Sequence, residues 1–314
     1  MRKAILALLL LIAMFVAACS TTTTNNGSTG FIGGVKGLDI AFYANAPPAS
    51  TPDNKQQEFD VIVDITNGGE YAVAIEDVYV KLSGFPPESF DQTIATLKKS
   101  PPEKIDANIK NPDGTVIAPP VVSVTFPGFN YQDVEVASRT FPIRADICYE
   151  YETQAAAELC VKENFNSNKV DDLCQVNADR SLSTSGGPVQ ITSLKQSTAG
   201  ADKTRFTFTV QNMDNGEIYK SDSECERITS NENKVFVSVS DLGASTIDSV
   251  KCVGLSGGTS NAGYITLVPG QARDVSCTVT YVNRNNRIQP FNIKLAYAYF
   301  KFVDTSILIE HSPE

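Results

Sequence analysis

The sequence predicts an all-β protein made of two tandem immunoglobulin-like β-sandwiches. Three observations lead there. Short segments with apolar spacing of period two run from Leu38 to the end. Turn residues separate them, and the second half repeats the order of the first. A strand sends successive side chains to opposite faces, so a period of two buries one face and wets the other. About seven such segments per half is the cue for a sandwich of two antiparallel sheets.

In the first half the strand segments are LDIAFY (38–43), FDVIVDIT (59–66), DVYVKLSG (77–84), VVSVTF (121–126), DVEVAS (133–138) and FPIRADICYEY (141–151). Turn formers lie between them: Asn45-Ala46-Pro47-Pro48, Asn67-Gly68-Gly69, Pro86-Pro87, Pro112-Asp113-Gly114 and Pro127-Gly128. The second half offers VQITSLKQ (189–196), RFTFTVQN (205–212), KVFVSVSD (234–241), YITLV (264–268), DVSCTVTYV (274–282), FNIKLAYAYF (291–300) and TSILIE (305–310). Only SFDQTIATLKK (89–99) carries a helical pattern.

The halves match in order. Val63–Asn67 with Gly68-Gly69 parallels Thr209–Asn212 with Asn215-Gly216. Asp77–Leu82 parallels Lys234–Val239, and Gly128 with the strand after it parallels Gly270. Phe141–Tyr149 parallels Phe291–Tyr299. The offsets are 145 (Asn67 to Asn212), 142 (Gly128 to Gly270) and 150 (Phe141 to Phe291), a drift that loop lengths absorb, so the reading is tandem duplication. The domains are then 37–164 and 188–314, joined by a polar linker at 165–187 that ends in Gly186-Gly187-Pro188.

Ahead of the first domain, Arg2 and Lys3 precede an unbroken apolar run of 15 residues, 4–18. A bilayer span needs about 20, so the run has the length of a signal-peptide core. It ends in Val16-Ala17-Ala18-Cys19, which resembles a prokaryotic lipobox. That resemblance implies removal of residues 1–18 and lipidation of Cys19. The chain would then sit on the outer face of the cytoplasmic membrane or cell surface, with the membrane itself as partner through the lipid. An uncleaved short anchor is the alternative. Residues 19–36, rich in Thr, Asn, Ser and Gly, bury too little surface to order themselves and read as a flexible tether.

Beyond the lipobox, the extended start, the strand ending in Asn-x-Gly and the Phe-x-Ile…Tyr penultimate strand resemble CARDB-like and related surface immunoglobulin-like domains of bacteria and archaea. The order of segments 30–48, 59–73 and 147–161 is similar to surface lipoproteins of small-genome archaea. The resemblance implies fold and location and brings no activity or functional residue with it.

Six cysteines remain beside Cys19: Cys148, Cys160, Cys174, Cys225, Cys252 and Cys277. An even number in an exported chain points to disulfides. Cys148 lies in the strand matching Phe291–Tyr299 and Cys160 in the strand matching Thr305–Glu310; if those two strands form a hairpin, Cys148 meets Cys160. Cys252 and Cys277 then pair within the second domain, leaving Cys174 with Cys225.

Composition narrows the chemistry. The net charge of −10 becomes −12 once Arg2 and Lys3 leave with residues 1–18, which disfavours nucleic acid. One histidine, His311, weighs against Ser-His-Asp, Cys-His and multi-histidine metal sites. No cofactor or metal is expected. Asp113-Gly114 and Asp214–Glu217 have calcium-like residue types without the alternating loop spacing, and they read as turns. Asp171-Asp172 reads as solvated linker. The glycines at 186–187 and 254–258 lack the strand, lysine and helix of a phosphate loop. Tyr149, Tyr151, Tyr297 and Tyr299 form clusters on matching strands, one member of each set expected as a buried tyrosine of the sandwich core and the others on a sheet face. The expected role is structural, adhesive or protein-interacting in the cell envelope, with envelope proteins or glycans as partners and no catalysis. Two alternatives stand: a solute-binding lipoprotein of a transporter, and an envelope enzyme with its site in the Pro-rich insertion 84–120.

Overall fold

A computed structural model describes residues 30–134, 136–166, 173–240 and 246–312. The lipobox Cys19 and Asp171-Asp172 lie outside the described residues. Phe31–Glu314 form one compact unit. It is all-β and sandwich-like. The first half contributes β1 (Leu38–Phe42), β2 (Ser50–Pro52), β3 (Phe59–Asn67), β4 (Val78–Ser83), β5 (Lys98–Lys99), β6 (Ile109–Lys110), β7 (Val116–Ile117), β8 (Val122–Phe129) and β9 (Ser138–Val161). There follow β10 (Ala178–Asp179), β11 (Leu182–Thr184), β12 (Val189–Gly200), β13 (Lys203–Asn212), β14 (Glu217–Tyr219), β15 (Lys234–Ser240), β16 (Ile247–Val253), β17 (Ala262–Thr266), β18 (Arg273–Tyr281) and β19 (Arg287–Glu310).

The period-two reading maps directly onto burial. In β3 every second residue, Phe59, Val61, Val63 and Ile65, is buried, and in β15 Val235, Val237 and Val239 are. The expected helix at 89–99 does not form. One 3-10 turn, Pro87–Phe90, ends at Asp91 in the left-handed region (φ 54°), and the segment closes as β5. Pro86 and Pro87 supply the turn, and burial of Phe90 against Phe85, Tyr131 and Phe141 outweighs the helical pattern.

The decisive element is a sheet shared by both halves. Its main path runs β17-β15-β19-β9-β4-β5, with β11 on β9 and β14 and β2 on β19. At its centre β9 and β19, each 24 residues long, pair antiparallel from Ser138↔Glu310 to Val161↔Arg287. A three-stranded sheet, β1-β3-β8, and a five-stranded sheet, β10-β12-β13-β18-β16, complete the sandwich. Tyr149 of β9 reaches Leu38 of β1, while Phe291 of β19 stacks near Phe206 of β13 with centroids 4.9 Å apart, so both smaller sheets cover one face of the large one. Within the segment read as linker, β10 pairs with β12, and β11 pairs with Ala155–Ala157 of β9.

The continuity of β9 corrects the expected disulfides. Cys148 and Cys160 lie on one strand, not on two arms of a hairpin. Twelve residues at roughly 3.3 Å each put them about 40 Å apart. The bonds are Cys148–Cys225, Cys160–Cys174 and Cys252–Cys277. The last is the pairing expected from the sequence. The first ties a strand of the first half to a loop of the second.

Candidate functional site

The centre of the molecule is a cluster of four tyrosines. Tyr149, Tyr151, Tyr297 and Tyr299 alternate on the inner face of β9 and β19, with Tyr151 opposite Tyr297 and Tyr149 opposite Tyr299. Their rings meet edge-on or tilted at 5.7–6.3 Å between centroids. Burial raises all four phenols well above the usual tyrosine range, so each stays neutral and serves as a hydrogen-bonding group.

Their hydroxyls repeat one network twice. Tyr151 Oη donates to Asn67 Oδ1 at 3.1 Å and accepts from the Tyr71 amide at 3.4 Å. Tyr299 Oη donates to Asn212 Oδ1 at 3.0 Å and accepts from the Gly216 amide at 2.9 Å. Each asparagine also closes an Asx turn by accepting the amide two residues on, from Gly69 or Asp214. In the same way Tyr149 Oη accepts from the Leu38 amide at 3.1 Å, and Tyr297 Oη from the Val189 amide at 3.3 Å. Tyr149 thus corresponds to Tyr297, and Tyr151 to Tyr299, an offset of 148 rather than the 150 read from Phe141 and Phe291. Since β9 and β19 are antiparallel, this equivalence is a pseudo-two-fold rotation through the pair Glu150↔Ala298. The Asn-x-Gly signal found the turns, but nothing local in the sequence marks the tyrosines as their partners.

Four charged side chains occupy the rim of this cluster. Lys301 follows Tyr299 on the inner face of β19, and its side chain is 11% exposed. Its ammonium touches Asp39 of β1 and lies 3.0 Å from Asp214, whose side chain is 6% exposed. Lys36 reaches Asp214 at 3.3 Å and Asp39 at 3.8 Å. Asp214 is pulled in two directions. Burial penalises its charge, while the Asn215 amide, Lys301 and Lys36 favour it and hold its carboxyl below the usual range. Asp214, read from sequence as part of a turn, is therefore both a turn residue and a buried ion-pair partner.

The opposite, outer face of the large sheet carries the Cys148–Cys225 bond, with shallow depressions around it. One, of about 410 Å³, is lined by Glu76, Asp77, Glu150, Asp222 and Glu224 beside Lys98 and Tyr79. Burial raises Asp77 and Glu150 above the usual carboxylate range; the Glu76 and Asp222 carboxylates add to the first shift, while the Asp222 amide opposes the second. The Asp222 amide donates to Glu150 Oε1 at 2.7 Å. Next to it a second depression is more basic, with Lys81, Arg227 and an Arg144–Asp146 ion pair among Tyr79 and Phe300.

The other sequence candidates fall apart from these features. Asp113 accepts from the Thr115 amide and hydroxyl at the tip of the β6–β7 hairpin. The insertion 84–120 puts Phe85, Phe90, Leu97 and Ile105 into the core. His311, expected to stand alone, does not: its Nδ1 lies 2.8 Å from Asp53 Oδ2, with Asp133 beside them. These three are the His/Asp group among the described residues with metal-ligand geometry. Asp53 is already filled. It accepts from the Ser312 amide at 2.9 Å, the Val134 amide at 3.1 Å and Asn54 Nδ2 at 3.2 Å. The group thus reads as a clasp on the end of β19.

No family model matches the chain, and no curated protein matches it. Among solved structures it is similar, at 10% identity, to the partial N-terminal region of an enterococcal surface protein, over 88% of this chain and 86% of that one, with a TM-score of 0.18. The native conformation of the E. coli alpha-2-macroglobulin is similar at 12% identity over 87% of this chain and 17% of that one, TM-score 0.18. A structure titled for the triple jelly roll fold and turret assembly in an archaeal virus is similar at 8% identity over 89% and 92%, TM-score 0.12. Scores this low carry no argument about fold or role.

Proposed function

We propose that this chain is a lipid-tethered protein of the cell envelope whose disulfide-stapled body has a structural or protein-interaction role. The observation that carries the reading is the Cys148–Cys225 bond together with its two companions. Disulfides form and persist in oxidising compartments, and this one locks the two halves of a shared sheet into a single rigid piece. The basic start, the 15-residue apolar run, Cys19 and the polar stretch after it support tethering of that piece outside the membrane. The body acts by binding, not by catalysis. Its buried tyrosines and asparagines are committed to joining the sheets, and its insertion is committed to the core. The face that meets neighbours is the outer one, where an acidic and a basic-aromatic depression adjoin.

The test is fractionation and cross-linking on intact cells. Wild-type protein is expected in the membrane fraction, accessible to an impermeant label, and Cys19→Ala in the soluble fraction. Cross-links from Lys81, Lys98 and Lys220 to envelope proteins support the interaction role. A Cys19→Ala chain that remains in the membrane and keeps residues 1–18 refutes the lipid tether, and a cytoplasmic wild-type chain refutes the whole reading.

A further inference from the structure

The pseudo-two-fold axis supplies a control for the charged set at the tyrosine rim. Rotation about Glu150↔Ala298 carries Lys301 onto Thr153, Asp39 onto Gln190, Asp214 onto Gly69 and Lys36 onto Gly187. The equivalent place is therefore occupied by four uncharged residues. It is fully satisfied: Thr153 Oγ1 pairs with Tyr297 Oη at 2.9 Å, and Gln190 Nε2 donates to the carbonyls of Ser185 and Gly187. A side chain at Gly69 is impossible there, because a Cβ would lie 2.1 Å from Tyr151 Oη. Beside these four, Glu70 accepts from the Ile32, Gly33 and Gly186 amides, so the fold closes this junction without a lysine set between two aspartates and does not require that triad at the other. Burying the Asp214 carboxylate and the Lys301 ammonium without need is costly, and their presence beside Asp39 calls for a reason.

We propose that Lys301 and Asp39 are joined by an intramolecular amide bond that the chain forms itself, with Asp214 as the proton carrier. The arrangement has the three parts such a reaction needs. The nucleophile is a nearly buried amine lying against a carboxyl group, held there by two strands that the sandwich fixes independently. A second carboxylate sits 3.0 Å from the same nitrogen. Asp39, with a side chain 42% exposed, keeps one edge open to solvent as a path out for water. In water an amine and an acid remain ions. Here fixed proximity supplies effective molarities of about 10⁵–10⁸ M.

The steps balance without an added reagent. The Lys301 ammonium passes a proton to the Asp39 carboxylate, leaving an amine and a carboxylic acid. Nζ attacks Asp39 Cγ to form the C–N bond. Asp214 takes the surplus proton from nitrogen and delivers it to the departing hydroxyl, so the C–OH bond breaks and one water leaves. Asp214 ends as it began, ionised. The product links β1 to β19 and so ties the start of the first half to the end of the second.

The test is the intact mass of the mature chain purified from cells, reduced and alkylated. The expected mass is lower than the sequence requires by about 18 Da, one water. A trypsin digest should contain Gly37–Lys55 joined to Leu295–Glu314, with no cleavage after Lys301. Lys301→Arg, Asp39→Ala and Asp214→Ala should each restore the full mass. A wild-type chain of full mass that melts cooperatively overturns the proposal. So does a water loss that maps to Asp113-Gly114, where cyclisation of the aspartate loses the same mass. An Asp214→Ala chain that still carries the link overturns the part given to Asp214.

Discussion

Removing the Cys148–Cys225 bond by Cys148→Ala/Cys225→Ala should destabilise the body more than removing either other disulfide. In the chain-entropy account a cross-link stabilises by restricting the unfolded chain, and the effect grows with the logarithm of the loop. The bond spans 77 residues, against 14 for Cys160–Cys174 and 25 for Cys252–Cys277. The corresponding contributions are about 4.5, 3.0 and 3.5 kcal/mol. The smaller Cys160–Cys174 loop lies inside the larger one, and while it is intact the large loop is shorter by its length, which lowers the first figure to about 4.3 kcal/mol. The expected loss is therefore about 4 kcal/mol, a fall of roughly 8 °C in melting temperature for a body this size. The assay is thermal and urea melting of the double-alanine chain beside the matching double mutants of the other two bonds. An unchanged midpoint, or a larger loss from Cys160→Ala/Cys174→Ala, would refute the reasoning.

Tyr299→Phe should cost about 1–3 kcal/mol, because it leaves the Gly216 amide without its acceptor and removes one of the two donors to Asn212 Oδ1. Tyr151→Phe should cost a similar amount, and matched urea midpoints for the two would check the equivalence. The clasp on β19 should depend on pH at both ends. Its hydrogen bond to Asp53 raises His311, so that contribution is complete below about 6.5 and fades as pH rises through the folded value. The Ser312 amide is the main cause that lowers Asp53 to about 2, so its contribution is complete above about 4 and is lost as pH falls towards that value. Protection of the Ser312 amide from exchange, taken relative to its intrinsic rate at each pH, should be greatest between those limits, and protection that does not change with pH would contradict the clasp. A protease cut between Asn164 and Leu173 falls inside the Cys160–Cys174 loop, so the pieces should stay covalently joined until reduction and should co-elute afterwards through the β9–β19 pairing. Separation of the reduced pieces in native buffer would show that the pairing cannot hold the halves alone.

How the sequence and the tertiary structure divide the work is clearest along β9. Its alternation is plain in the sequence, for Thr153, Ala155, Ala157 and Leu159 are buried between exposed Gln154, Ala156 and Glu158. Local physics thus determined the strands, the turns at Pro112-Asp113-Gly114 and Asn67-Gly68-Gly69, and the repetition of one set of segments in two halves. It also assigned Cys252 and Cys277 to one half, where the structure sets them opposite each other on β16 and β18. What it left undetermined was which strands pair. No Gly, Pro or Asn interrupts residues 149–161, and that absence makes one long strand where a hairpin was expected; but a strand's partner is a matter of distant residues, and period two is the same for every partner. Only the tertiary structure decided that β9 lies against β19. That pairing made one body with a shared sheet, put Cys148 beside Cys225, set the tyrosines of one half against those of the other, and brought Lys301 to Asp39 across 262 residues. Backbone hydrogen bonding and side-chain alternation are local and legible in the sequence, whereas the choice among compatible edges is made by the whole fold at once.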